Sequence, residues 1–261
     1  MIKEYTVANG VLAFSTTRKG GVSEGNYGEL NINEYCGDDL AHIAMNRKLL
    51  ADKIGIAEDH IVMVHQVHGV EVKKVGSELV SLSDSARKEA LEGFDALMTD
   101  ERGICIGVST ADCIPVLLYD EEHHAVAAIH AGWRGTVACI VCKTVQEMAE
   151  AYQTNPRKLK AIVGPGISLE NFEVGDEVYE AFLQAVFPME KIAEQRPSTS
   201  QPLKWHINLP LCNQLTLQKA GVEEKNIFQS GICTYDQSEE YFSARKLGIQ
   251  SGRIFTGILL K

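Results

Sequence analysis

Positive charge is scarce in this sequence: 25 lysines and arginines stand against 35 acidic residues, a formal net charge of −10. That balance argues against a protein whose main work is binding a phosphate backbone, which needs clustered cations to displace counterions. No uninterrupted apolar run reaches the roughly 20 residues that span a bilayer. The opening Met1-Ile2-Lys3-Glu4-Tyr5-Thr6 puts charges where a secretion signal needs an apolar stretch, so a cytoplasmic location is expected, with no nucleic-acid and no membrane partner. Internal repeats are missing as well. The 7 cysteines, an odd count in a chain without a signal, fit reduced thiols better than a disulfide framework.

What is present is an ordinary globular composition, 261 residues of which 45% are hydrophobic. A chain of that length buries a core without structural metals, so any metal ligands in it point to chemistry rather than to propping up the fold. Apolar, β-branched runs at 61–67, 70–75, 96–99, 104–108, 114–118, 125–129 and 161–163 predict strands, interleaved with helices, and hence a mixed sheet. The length fits one large or two small domains; residues 188–204, which include Gln195-Arg196-Pro197-Ser198-Thr199-Ser200-Gln201-Pro202, lack an apolar period and read as a mobile surface loop, not a domain boundary.

Helix ends are legible in three places. Asp39 can cap a helix running to Lys53 and stopped near Gly55; Asp176 can cap one over 177–187, stopped by Pro188; and Asn208, followed by Pro210, can start one that ends at Gly221. A fourth, long helix is expected over 135–152, with Val137, Ile140, Val141, Thr144, Val145 and Met148 as its apolar stripe. Cys139 and Cys142 fall inside it. Two cysteines three apart on an apolar helix are more often small core residues than a redox or zinc pair, and no second Cys-x-x-Cys completes a zinc site.

Unusual residues gather in Val64-His65-Gln66-Val67-His68-Gly69-Val70, in Ser109-Thr110-Ala111-Asp112-Cys113-Ile114-Pro115, and in Ala128-Ile129-His130-Ala131-Gly132-Trp133-Arg134-Gly135-Thr136. Polar groups at strand ends beside helix starts are where sites are commonly built. His68, Cys113 and His130 offer two imidazoles and a thiolate, a set suited to zinc or copper with a fourth position open to water or substrate. Each also has a plain structural reading: a histidine donating to a turn carbonyl, a cysteine entering a core strand, a satisfied near-surface histidine. Their wide spacing does not by itself certify that they meet. His65 is a rival to His68, because strand residues three apart face opposite ways unless the chain turns at Gly69.

The blocks Phe14-Ser15-Thr16-Thr17-Arg18-Lys19-Gly20-Gly21-Val22-Ser23, Gly37-Asp38-Asp39, Asn46-Arg47, Gln66-Val67-His68-Gly69, Asp95-Ala96-Leu97, Ala111-Asp112-Cys113-Ile114-Pro115, His130-Ala131-Gly132-Trp133-Arg134-Gly135-Thr136 and Gly164-Pro165-Gly166-Ile167 occur in this order along the chain. In this it resembles the YfiH-like family, also called the laccase-domain or polyphenol oxidase family, whose bacterial members are described as purine nucleoside phosphorylases or peptidoglycan editing factors. The resemblance covers nearly the whole chain. It implies a single α+β domain, a layered mixed β-sheet sandwich with flanking helices, and a metal held by His68, Cys113 and His130. Zinc is the expected ion and copper the second candidate. It further implies phosphorolysis of adenosine, inosine and methylthioadenosine, and deamination of adenosine. Departures are modest: Lys246 follows Arg245 where paired arginines are common, Gly166 replaces a frequent serine, and 76–93 is longer than usual.

That chemistry assigns candidate roles. Phosphorolysis needs donors for phosphate, and Arg18, Arg47 and Arg134 lie in matched blocks with the fork geometry that suits its oxygens. Each could instead be a structural salt-bridge partner or a solvated charge. Deamination needs hydroxide near neutral pH, which a zinc site generates. Asp112 is expected to orient a histidine or act as general base, with His68 and Cys113 also catalytic, while Asn46 and Gln66 are expected to read the purine or ribose edge. None of the 8 histidines is two residues from another, which argues against the His-x-His elements of a multicopper laccase. Two other readings stand beside the phosphorylase: a metal-free cysteine hydrolase using Cys113 and His130, and a non-catalytic cell-wall editing or binding factor.

Overall fold

Alternation along the longest strands builds the centre of the molecule. In Ile114–Asp120 every side chain is buried, yet Ile114, Val116 and Leu118 enter one apolar cluster while Leu117 and Tyr119 enter another. Successive strand residues point to opposite faces, so a continuous apolar run means a sheet covered on both sides. The computed structural model describes residues 1–197 and 203–261 and shows that covering.

Two large mixed sheets stack face to face. The first has the strand order Ile2–Tyr5, Val11–Thr16, Ile254–Leu260, Cys105–Thr110, Ile61–Met63, and the second runs Ile227–Gln229, Lys160–Val163, Ile114–Asp120, Ala125–Ala131, Ala96–Thr99, Val72–Lys74. Between them Val62, Ile106, Val108 and Ile258 meet Leu97, Leu117, Val126 and Ile162. The outer face of the second sheet packs on helices Ile140–Tyr152 and Leu209–Lys219, and that of the first on helix Leu40–Ile54 through Leu50, Ala51 and Ile54. This is the layered α+β sandwich with flanking helices that was expected.

Helix ends follow the sequence signals closely in two cases. Asp39 accepts from the backbone N–H groups of Ala41 and His42, and Gly55 closes the helix in the left-handed conformation; Asn208 likewise accepts from Leu211. Elsewhere the ends moved. Asp176 is the first residue of Asp176–Gln184 rather than its cap, and that helix stops three residues before the expected end, where Val186 turns left-handed. The expected helix over 135–152 is two helices, Trp133–Val137 and Ile140–Tyr152, broken at Cys139, whose φ is 60°. The apolar stripe runs through the break because both pieces pack on the same sheet face, so hydrophobic period alone does not reveal the kink. Cys139 and Cys142 are disulfide-bonded to each other and half-buried, not reduced core residues.

The strand expected over 61–67 ends at Met63, because the chain then turns towards His68. Part of the loop expected over 188–204 is regular. Met189–Ile192 makes a helical turn, and Ala193–Arg196 pairs antiparallel with Lys204–Ile207 in a small third sheet completed by Glu173–Val174. Ala193–Arg196 is polar and half-buried to exposed along its length, so no apolar period marks it; 198–202 lie outside the described residues.

Candidate metal centre and active site

One buried carboxylate organises the site. Asp95, fully buried, accepts hydrogen bonds from the backbone N–H groups of Val67 at 3.2 Å, His68 at 2.9 Å and Gly69 at 2.7 Å, and from Nδ1 of His130 at 2.7 Å. The first three hold a tight turn in which His68 takes φ 61°, a conformation that costs a non-glycine residue about 1 kcal/mol and needs such support. The fourth fixes the His130 ring with Nε2 free, the arrangement in which a carboxylate orients a metal-ligating histidine. Asp95 sits immediately before strand Ala96–Thr99, which pairs antiparallel with the strand that carries His130.

Cys113 arrives from the other side of that strand. Pro115 is paired with His130 and Ile114 with Ala131, so Cys113 precedes strand Ile114–Asp120 at the level of Gly132. The ligand atoms of His68, Cys113 and His130 lie within 4.8 Å of one another, and the two imidazole rings are 4.8 Å apart at 77°. A Cβ at Gly132 would stand 3.1 Å from both Cys113 Sγ and His68 Cδ2, so glycine keeps the space around the cluster. Burial decreases from His130 through Cys113 to the exposed His68, which opens the cluster to solvent on one side. His65 is elsewhere, bonded to Glu92 at 2.7 Å and stacked on Tyr35.

The three groups also perturb one another. Burial by itself would raise the Cys113 thiol, but His130 and His68 facing it bring it down to about 6. Burial disfavours the His130 imidazolium, and the Cys113 thiolate and Asp95 overcome that and lift it to about 9. Asp95 is lowered against its own burial by His130 and the turn N–H groups. Two imidazoles and an activated thiolate, with one ring nitrogen already oriented from behind, match the donor set and support that zinc or copper takes.

Other expected site residues are employed differently. Both Asp112 oxygens accept hydrogen bonds, from the Thr234 hydroxyl and the Arg245 backbone N–H, each at 2.7 Å, so the histidine-orienting role falls to Asp95. Asp112 has φ 88° and leads directly into Cys113. Gln66 is spent on the backbone N–H and carbonyl of Ser109, at 2.7 and 2.8 Å. Asn46 is fully buried, donating to the Ser23 hydroxyl and to the Glu29 and Asn31 carbonyls while accepting from Val22. Asn46, buried and bonded on both its amide atoms, is not left to read a substrate edge, whereas Gln66 keeps a second amide N–H. Arg18 donates to the Gly28 and Ser238 carbonyls. Arg47 donates to the Ile61 carbonyl and lines a separate cleft of about 620 Å³ with Arg87, Tyr35 and Met63. Arg134 is exposed and stacked over Trp133, with its guanidinium carbon 4.3 Å from the ring centroid. Of the three arginines it alone stands beside the Gly132 turn with its donors uncommitted to carbonyls among the described residues.

The mixed two-sheet sandwich thus carries an open His–Cys–His cluster that could hold a metal ion. The family model described as multi-copper polyphenol oxidoreductase laccase matches residues 12–261, and the chain belongs to that family. Among its relatives are a purine nucleoside phosphorylase of Bacteroides thetaiotaomicron, 44% identical over 247 residues covering 95% of this chain and 90% of that protein. Another, adenosine deaminase RL5 from an unknown prokaryotic organism, is 43% identical over 252 residues, covering 97% and 95%. The crystal structure of YlmD from Geobacillus stearothermophilus superposes with a TM-score of 0.87 at 30% identity, covering 97% of this chain and 93% of that one. The crystal structure of the Bacillus licheniformis hypothetical protein YfiH gives 0.88 at 29%, covering 97% and 94%. Despite the family's description, one three-ligand group is what the described residues offer a metal.

Proposed function

We propose that this chain is a metal-dependent purine nucleoside phosphorylase that also deaminates adenosine, with zinc as its ion and copper as the alternative. The observation that carries it is the cluster of His68, Cys113 and oriented His130 in a chain more than two-fifths identical to relatives named for those two activities. Adenosine, inosine and methylthioadenosine are its substrates, with phosphate as co-substrate, in the cytoplasm. Among the described residues no helix is long and apolar enough to cross a membrane.

His68 Nε2 or Nδ1, Cys113 Sγ and His130 Nε2 would hold the ion, which when bound supplies Lewis-acid polarisation beside the substrate. Asp95 keeps His130 oriented and its Nδ1 proton in place. Asp112 acts as a positioning residue, holding the left-handed entry to Cys113 through Thr234 and Arg245. Arg134, exposed two residues after Gly132, receives the phosphate with its planar fork.

Product analysis of adenosine with and without phosphate tests this reading. Ribose 1-phosphate is expected only with phosphate, and inosine in either case; absence of both products contradicts it. One observation favours a second reading: the lowered Cys113 thiol facing the raised His130 is also the pairing of a cysteine nucleophile with its base. A metal-free cysteine hydrolase would keep its activity under a chelator, whereas the phosphorylase loses it.

A further inference from the structure

Cys139 and Cys142 take no part in the chemistry above. We propose that they form a redox-active dithiol–disulfide pair that exchanges with low-molecular-weight disulfides bearing a carboxylate. The two are bonded to each other with Cα atoms 5.3 Å apart, inside the roughly 4.4–6.8 Å that a disulfide spans without moving the backbone. The same pair can therefore close and open in place.

Their placement separates the roles of the two sulfurs. Cys139 stands at the start of the 13-residue helix Ile140–Tyr152, and no side chain caps that helix. The unsatisfied first-turn N–H groups and the helix dipole favour a thiolate there. Cys142 lies one turn in, its sulfur 3.7 Å from the Thr216 carbonyl oxygen, a neighbour that suits a thiol and disfavours a thiolate. Cys139 is thus the attacking group and Cys142 the resolving one.

Access points the same way. Cys139 lines a cleft of about 150 Å³ with Phe187, Pro188, Leu215 and Lys219, and Val186 beside them is 87% exposed. The apolar walls suit the methylene arm of a small thiol, and Lys219 suits a carboxylate. Cys105, Cys212 and Cys233 are buried by contrast.

The exchange balances without another reactant. The Cys139 thiolate attacks one sulfur of the small disulfide, forming a mixed disulfide and releasing one thiolate; the Cys142 thiol then loses its proton and attacks Cys139 sulfur, expelling the second. The protein pair gives up two electrons and two protons, and the small disulfide becomes two thiols.

The test equilibrates the purified full chain in mixtures of oxidised and reduced glutathione, traps free thiols by alkylation and maps the peptide holding both cysteines by mass. The bridged fraction should climb from about a tenth to about nine-tenths over roughly a hundredfold change in the ratio of oxidised to squared reduced glutathione. Cys142→Ser should accumulate one glutathione on Cys139, and Cys139→Ser none on Cys142. A bridged fraction that stays constant across the series overturns the proposal, as does a Cys142→Ser protein left unmodified.

Discussion

Four hydrogen bonds converge on the carboxylate of Asp95, three from the turn that presents His68 and one from the ring of His130. Asn at this position keeps one acceptor and loses the charge, so Asp95→Asn should weaken zinc binding by about 10–100-fold, the usual cost of losing such a support. Competition titration against a chromophoric chelator reads that change, and unaltered affinity would count against the assigned role. The Cys113–His130 pair gives a second prediction, for the metal-free protein. A thiol whose folded pKa is lowered contributes stability above its unfolded value, lost as pH falls through about 6; an imidazole whose folded pKa is raised contributes below its unfolded value, lost as pH rises through about 9. Across that window the thiol contribution therefore grows as the imidazole contribution is lost, so their sum changes little with pH, while alkylation of Cys113 should rise with pH around 6 rather than around 9. Sequence patterns marked the three candidate ligands through the Gln-Val-His-Gly, Ala-Asp-Cys and His-Ala-Gly-Trp-Arg-Gly blocks. They could not show that Asp95 rather than Asp112 reaches an imidazole, since that depends on strand pairing between 96–99 and 125–131.

At the scale of elements, side chains that looked like ligand readers turn out to be fasteners. Asn46, inside helix Leu40–Ile54, ties that helix to the loop through Val22, Ser23, Glu29 and Asn31. Asn46→Ala strands several buried polar groups and should lower stability by about 1–3 kcal/mol in urea unfolding. Its KM for nucleosides should stay at the wild-type value once folded; a large KM rise with intact stability would return Asn46 to the substrate. Caps at Asp39 and Asn208 were readable because they act within one turn of their own helix. The break at Cys139 was not, because apolar stripes on either side of it continue one another.

The largest gap between sequence and fold is at the scale of the whole molecule. Strand Ile254–Leu260, the end of the chain, sits in the middle of the first sheet between Val11–Thr16 and Cys105–Thr110, and all seven of its residues are buried. This strand is not among those expected from apolar runs, and such runs in any case leave open a strand's neighbours, which pair over long sequence separations. Ile258 lies fully buried between the two sheets, so Ile258→Ala should cost about 2–5 kcal/mol by denaturant titration, with little effect if the C-terminal strand is dispensable to the core.

The same sandwich brings three candidate ligands from distant segments to one rim, and the proposal that this rim works with a metal has a direct test. The protein is stripped by a chelator, assayed for ribose 1-phosphate release from adenosine and phosphate, and assayed again as zinc is added back. Activity should vanish on stripping and return in proportion to zinc up to one ion per chain, and His68→Ala should fail to recover. Full activity in the stripped protein would contradict the account.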